Sequence, residues 1–314
     1  MKIAVTGLSG LIGSRFNFLL KEKYELVGVS SEEVNIVDKE KLSVMLDSIN
    51  PDLILHMAAK TNVDQCEEDK AADNSKIKNL GLLDGENFNL NNVNYKDWVE
   101  DFSAFAVNVV GTKNIVDWTI NNSKKIIYIS TDFVFSGDDT PAGGYSEEDK
   151  TDPVDWYGMT KFLGEEVVRK NENSLVVRIA FPYGYKSEVK TDFVWKLIEL
   201  MQKGIEIKLV SDQLITPTFI DDVVNGLDFL IQQNEKGLVN LVGSSSLSSY
   251  DVGLIIADTF GFDKSKLSKI TNEEFYKDRA KRPFKAVMKN DKLKKLGFSP
   301  KTFEEGVALI KVNV

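Results

Sequence analysis

Seven residues, Gly7 to Gly13 (GLSGLIG), constrain this 314-residue chain more than any other stretch. They follow Lys2-Ile3-Ala4-Val5-Thr6, a short apolar run of the kind that forms a fully buried strand. They open onto Leu11 to Lys23, where Leu11, Ile12, Phe16, Leu19 and Leu20 recur at helical spacing. A strand, a glycine turn and a helix in direct succession form the setting of a dinucleotide-binding turn. The spacing is G-x-x-G-x-x-G rather than G-x-G-x-x-G, yet each glycine keeps a physical role. Gly7 permits the tight turn, Gly10 lets backbone approach a pyrophosphate, and Gly13 lets the helix pack on the sheet. The amides at the helix start, at Leu11, Ile12 and Gly13, then face phosphate.

The rhythm continues as alternating strands and helices, which implies right-handed βαβ units and a parallel sheet. Leu26 to Ser30 reads as the second strand. Its end carries Ser30 and Ser31, with Glu32 and Glu33 arriving later, where NAD-specific sites place an acid for the ribose hydroxyls. Small hydroxyls leave room for a 2′-phosphate, and Arg15 can reach it from the first helix. NADP(H) is therefore favoured, and Glu32 keeps NAD(H) open. Val34 to Asp38 reads as a short strand ending in an acid that approaches the adenine edge. Lys39 to Ile49 is helical, and Pro51 to His56 is a further strand. Ala58, Ala59 and Lys60 follow it, two of them small enough for cofactor backbone to pass close by.

Residues 70–100 break the rhythm. They are rich in Asn, Gly and Asp and read as a polar excursion rather than a core element. A lid, an oligomer contact and a tolerated insertion are all compatible with it. Phe102 to Asn121 resumes as a helix, with Asn108 and Thr112 one turn apart, where both can face the catalytic end or lie on the surface.

The chemistry concentrates between Ser130 and Lys161. Ser130-Thr131-Asp132-Phe133 comes directly after the apolar run Ile126-Ile127-Tyr128-Ile129, which puts hydroxyls at the C-terminal end of a buried strand. Tyr157 and Lys161 begin a helical pattern and lie one turn apart on one face. An ammonium beside a phenol lowers the phenol's pKa toward working pH and makes it an acid catalyst. With nine Tyr in the chain, one Tyr-x-x-x-Lys pair arises by chance, so its surroundings must carry the reading.

The remaining composition excludes several classes. A net charge of −9, with charges interspersed, argues against a nucleic-acid or anionic-membrane partner. One cysteine, Cys66, excludes an internal disulfide framework and fits a reducing compartment. The single histidine, His56, makes a His-rich metal site or a Ser-His-Asp triad improbable and reads as a core or loop residue. The N-terminus shows no signal peptide, and no apolar run is long enough to cross a membrane, so the expected location is the cytoplasm. Lys281-Arg282-Pro283 and the run from Lys289 to Lys295 can offer cations to a substrate phosphate, although an exposed Lys run is more often a solvated face.

Nine pieces in order then resemble the extended short-chain dehydrogenase/reductase superfamily, and within it the dTDP-4-dehydrorhamnose reductase family. They are GLSGLIG at 7–13, VNIVD at 34–38, PDLILHMAAKTNVDQCE at 51–67, FAVNVVGTKNIV at 105–116 and STDFVFSG at 130–137. YGMTKFLGE at 157–165, RIAFPYG at 178–184, DQLITPTFIDDV at 212–223 and RPFKAVM at 282–288 complete the set. The resemblance implies an α/β fold: a Rossmann-type doubly wound parallel sheet with a smaller C-terminal substrate-binding domain. The sheet domain would take residues 1–181 and 219–242, and the substrate domain 182–218 and 243–314. NADPH or NADH would reduce a nucleotide-linked 4-keto-6-deoxy sugar.

Matched position by position, Tyr157 is the acid, Lys161 binds ribose and tunes the phenol, and Thr131 orients the carbonyl. Gly7, Gly10, Leu11, Ile12, Gly13, Ser30, Asp38, Ala58, Ala59, Lys60, Asn108, Ser130 and Pro182 join Tyr157 and Lys161 around the cofactor. Thr131, Asp132, Phe133, Phe181, Gln213 and Arg282 face the substrate.

Three departures stand out. The 70–100 excursion exceeds the family's usual connection. Phe181 stands where rhamnose-forming members usually have Trp, which keeps an apolar platform without the indole donor and leaves another sugar open. Some members use magnesium, but no ligands for it are assignable. An epimerase or dehydratase with the same Tyr–Lys pair is a second reading, although dehydratases usually place Asp-Glu after the Thr and this chain has Asp132-Phe133. A cofactor-binding regulatory subunit without catalysis is a third. The sequence is silent on oligomeric state, which leaves a homodimer open.

Overall fold

The computed structural model describes residues 1–85 and 87–312. Its centre is a six-stranded sheet whose order is Gly237–Asn240, Ser174–Ile179, Lys125–Thr131, Leu53–His56, Lys2–Thr6, Glu25–Val29. All five pairings are parallel. Strands covered on both faces need apolar side chains on both, and Leu53–His56 and Ser174–Ile179 are buried along their whole length. Alternate residues feed two cores. Ala4, Ile54, Ile126, Tyr128 and Val176 point to the layer of Leu42, Ile77, Val109, Ile115 and Leu163. Ile3, Val5, Leu55, Ile127 and Val177 point to the layer of Phe16, Val223, Leu227 and Leu293.

The chain runs from Lys2–Thr6 out to the Glu25–Val29 edge, then crosses back to Leu53–His56, so strand order reverses beside the first strand. Ligands of such sheets bind at the carboxyl ends of the strands flanking that reversal. A third cluster, with Tyr183, Trp195, Ile198, Phe219, Ile256 and Phe303, lies apart from both sheet faces. Two short parallel ribbons accompany it, Pro182–Tyr183 with Thr218–Phe219 and Ile207–Val210 with Leu267–Ile270.

Three expectations need correction. Val34 to Asp38 is not a strand: Asn35 accepts from the Val37 amide at 3.0 Å, and Asp38 N donates back to Asn35 O at 2.9 Å. Short polar side chains here bond their own backbone in preference to a sheet ladder.

The 70–100 stretch is not a polar excursion outside the core. The helix Val63–Asn79 runs through its first third, and the hairpin Leu83–Asp84 with Asn87–Phe88 follows. Ile77, Leu82, Leu90, Val93 and Trp98 are buried in the sheet's core. The helix escaped detection because only Cys66, Asp73 and Ile77 along its 17 residues are buried, which leaves little apolar periodicity.

Finally, Phe102 precedes the next helical segment and is 72% exposed, so it anchors nothing.

Candidate active site

Gly7 has φ 74°, a conformation that favours glycine, and a Cβ there would come within 2.9 Å of Ala58 N. The glycine turn and the Met57–Thr61 loop are therefore in contact across the crevice. Gly10 caps the helix Leu11–Leu20 without any side-chain bond, and the first amides of a helix have no partner within it. A Cβ on Gly13 would lie 2.2 Å from Gly7 O, so the helix can approach only as glycine allows. Backbone N–H groups, a helix dipole and bare backbone would suit a pyrophosphate.

The second strand's end departs from expectation. Arg15 does not reach out toward Ser30, because its guanidinium pairs with both carboxylate oxygens of Asp221 at 2.6 and 2.8 Å. Ser30 donates to Glu33 at 3.0 Å, which sets an acid beside that strand end. Asp38 does not extend toward an adenine edge. It caps the helix Lys39–Ile49, accepting from Lys41 N at 3.1 Å, and these contacts hold its carboxyl below the usual range despite the opposing desolvation.

Asn108 is buried in a π-helical turn, Ala106–Gly111, and clamps the crevice loop by accepting from Lys60 N at 2.8 Å and donating to Lys60 O at 3.1 Å. The same amide donates to Thr160 at 3.0 Å, one residue before Lys161. Lys60 itself turns its ammonium to Asp69 at 2.6 Å.

Beyond the end of the Lys125–Thr131 strand, the helix Trp156–Val168 starts from Asp155, whose carboxylate accepts from Gly158 N at 2.8 Å. Gly158 is required because a Cβ there would meet Phe133 O at 2.1 Å. This close approach sets Tyr157 beside the strand end, with its ring edge-on to Phe133 at 5.5 Å. The Tyr157 phenol lies close enough to the Thr131 hydroxyl for the two to interact. Burial raises the phenol above its ordinary pKa, the nearby Thr131 hydroxyl opposes that, and the charges of Asp132 and Asp155 add to it.

Lys161 is buried, donates to Ile129 O at 2.8 Å and lies 3.9 Å over the Tyr128 ring. Burial pushes this ammonium down to about 7, with the Glu165 carboxylate pulling the other way. Asp132 accepts from Thr131 at 3.0 Å and is pushed up to about 7 by burial, as is Asp155. The Ser130 hydroxyl turns away from the crevice and donates to Glu165 at 2.6 Å, joining a buried bidentate Glu165–Arg178 pair.

Of the expected substrate residues, Phe181 has φ 41° and packs edge-on to Phe193 at 5.8 Å. A left-handed backbone costs a non-glycine residue about 1–2 kcal/mol, so its surroundings hold Phe181 in a strained pose. Pro182 pairs with Thr218 in the short ribbon. Gln213 is buried and donates to Pro283 O at 2.6 Å. Arg282 pairs with Asp64 at 2.8 Å, stacks on Tyr276 at 5.2 Å and so bridges to the N-terminus of the Val63–Asn79 helix.

Sequence reasoning missed Tyr128, Glu165, Asp155 and Asp64. Only Asp155 carried a local signal, an N-cap carboxylate before a helical pattern; the others act through contacts distant in sequence.

Among curated relatives, the spore coat polysaccharide biosynthesis protein SpsK of Bacillus subtilis (strain 168) is 27% identical, covering 98% of this chain and 95% of its own length. The dTDP-4-dehydrorhamnose reductase of Aggregatibacter actinomycetemcomitans is 26% identical over 99% and 98%. The methionine adenosyltransferase 2 subunit beta of Mus musculus is 26% identical over 98% and 86%. The crystal structure of dTDP-4-dehydrorhamnose reductase from Bacillus anthracis str. Ames in complex with NADP superposes with a TM-score of 0.82 at 25% identity, over 100% and 99% of the chains. The family model described as RmlD substrate binding domain matches residues 1–82 and 97–313 and passes over the hairpin region between them. The chain belongs to the RmlD substrate binding domain family.

Proposed function

We propose that the protein is an NAD(P)H-dependent reductase of a nucleotide-linked 4-keto-6-deoxy sugar. The observation that carries this is the meeting of Thr131, Tyr157 and Lys161 at the carboxyl edge of the sheet, beside an uncapped glycine-turn helix. Residues 1–181 and 219–242 form the cofactor-binding part, and 182–218 with 243–314 the substrate part. NADP(H) is the preferred cofactor, on the strength of the NADP-bound relative. The acid contributed by Glu33 keeps NAD(H) in view.

When bound, the nicotinamide supplies the hydride. The protein's own residues hold the ketone and deliver a proton. Thr131 turns its hydroxyl proton from Asp132 to the C4 oxygen and orients that oxygen toward Tyr157. Tyr157 gives its proton to the alkoxide that forms there. Lys161 contributes positive charge that steadies the phenolate left behind, and Asp132 and Phe133 line the near side of the sugar. Phe181 supplies an apolar platform, Gln213 holds the loop carrying Pro283, and Arg282 meets the diphosphate.

The mouse relative, a subunit by name, supports a second reading in which the chain binds cofactor without turnover. Oxidation of NADPH and NADH with a panel of 4-keto nucleotide sugars separates the two. Turnover abolished in Tyr157→Phe with cofactor binding retained is the expected result. Tight NADPH binding without turnover of any panel member selects the subunit reading.

A further inference from the structure

The chain has one histidine, and the structure buries it at the reversal point of the sheet, between the two loops that form the crevice. His56 ends the Leu53–His56 strand and pairs in register with Thr6, the last residue of the first strand. Its Nδ1 lies 2.7 Å from Thr6 Oγ1, and its Nε2 lies 3.0 Å from Thr112 Oγ1. Thr6 Oγ1 accepts from the amides of Met57 and Ala58 at 3.2 and 3.1 Å. Thr112 Oγ1 donates to Asn108 O at 2.7 Å. Asn108 in turn holds Lys60 by both its N–H and its carbonyl, and reaches Thr160 beside Lys161.

These contacts favour one placement of hydrogens, because the two loop amides already occupy the lone pairs of Thr6 Oγ1. Thr112 has a single hydroxyl proton, and Asn108 O takes it. The His56 Nε2 contact can then be a hydrogen bond only if Nε2 carries the proton and Thr112 Oγ1 accepts. A neutral ring protonated at Nε2 has a bare Nδ1, which accepts from the Thr6 hydroxyl. The Thr6 lone pairs are thereby left for the two loop amides. An unbroken chain runs from the 57–58 amides through Thr6, His56, Thr112 and Asn108 to Lys60 and the catalytic helix. Burial holds the imidazole neutral, far below its ordinary range, with the Lys161 charge acting the same way.

We propose that His56, as the neutral Nε2–H tautomer, is a positioning residue that ties the 57–60 crevice loop to the Asn108–Thr112 helix and so sets cofactor affinity. The cofactor part of this inference rests on the reductase reading; the hydrogen-bond chain does not. His56 touches neither substrate nor the reacting atoms, so its loss should weaken cofactor binding more than it slows the chemical step. His56→Leu removes both contacts. His56→Asn keeps an acceptor for Thr6, because an Asn carbonyl oxygen reaches the position of Nδ1.

The experiment uses full-length protein without a histidine tag. Nitrogen NMR of the single imidazole should show a protonated Nε2 and a bare Nδ1, with no change between pH 6 and 8. NADPH binding, followed by fluorescence, should weaken about tenfold in His56→Leu, the size expected for losing a buried hydrogen-bond partner. The kcat at saturating NADPH should stay within about threefold. His56→Asn should recover most of the affinity. A ring protonated at Nδ1, or charged at pH 7, overturns the proposal whether or not the variants fold. So do wild-type affinity in His56→Leu and a kcat loss without an affinity loss. A wild-type chain that binds neither NADPH nor NADH instead overturns the cofactor reading, and the NMR result then decides the hydrogen-bond chain alone.

Discussion

Asp64 Oδ1 accepts from both Arg282 Nη2 at 2.8 Å and Ala280 N at 3.1 Å. One carboxylate at the start of the Val63–Asn79 helix thus holds a strap that comes from the far end of the chain. If Arg282 meets the substrate diphosphate, Asp64 competes with that phosphate for the guanidinium. Arg282→Ala should raise the substrate KM by roughly tenfold or more with a smaller effect on kcat, in keeping with a lost charge-assisted contact. Asp64→Asn should lower KM by about threefold, since a neutral amide holds the guanidinium less firmly than a carboxylate. Initial-rate kinetics on both variants check the pair. An increase of KM in Asp64→Asn would show that the carboxylate aims Arg282 rather than restrains it.

Lys161 sits over the Tyr128 face, and burial brings its titration to about 7. In the proposed mechanism, raising the pH removes the charge that steadies the Tyr157 phenolate, so kcat/KM should fall on the alkaline side of neutrality. A desolvated cation over a ring gains about 2 kcal/mol, which corresponds to roughly one and a half pH units. Tyr128→Leu should therefore shift the alkaline limb of the profile to lower pH by about that amount, and Tyr128→Phe should leave it in place. An unshifted limb in Tyr128→Leu would remove the ring from the account.

Asp132 is buried and retains its proton to about 7, whereas in the unfolded chain it titrates near its ordinary value of 3.8. The folded state thus binds more protons between those values, and this contribution to stability is present at low pH and lost as pH rises through 7. Asp132→Asn cannot lose a proton. It should nearly equal wild type near pH 4 and exceed it by up to about 4 kcal/mol at pH 8. Urea unfolding at the two pH values is the measurement. A constant difference between them would mean that Asp132 stays ionised when folded.

Trp98 is fully buried and packs at 4.7 Å on Phe105, just ahead of the Asn108 clamp. Trp98→Ala should cost about 3–5 kcal/mol, with the urea midpoint lowered and the slope unchanged. A loss under about 1 kcal/mol would restore the view of residues 70–100 as a peripheral insertion.

The sequence alone determined the fold class and the position of the glycine turn, and it singled out Thr131, Tyr157 and Lys161 as candidates. Each depends on local regularity: strand and helix periods, glycine spacing, and two residues one turn apart on a helix. The same local rules failed where regularity was weak. The Val63–Asn79 helix shows almost no apolar stripe, and Asn35 and Asp38 turn the backbone where short apolar residues suggested a strand.

Tertiary structure decided which partners the charged and polar side chains take, because those partners lie far away in sequence. Arg15 is claimed by Asp221 across 206 positions and Arg282 by Asp64 across 218. Ser130 is drawn to Glu165, a partner formed only when the Trp156–Val168 helix packs on the sheet. Burial also reverses the simple expectation for the Tyr–Lys pair. Desolvation raises the phenol and lowers the ammonium, and its size depends on how much protein surrounds them. The turn at Gly7 was visible from spacing and chirality alone. What it faces across the crevice, an Ala58 loop held by Thr6, His56 and Asn108, exists only after the sheet has brought residues some 50 positions apart into register.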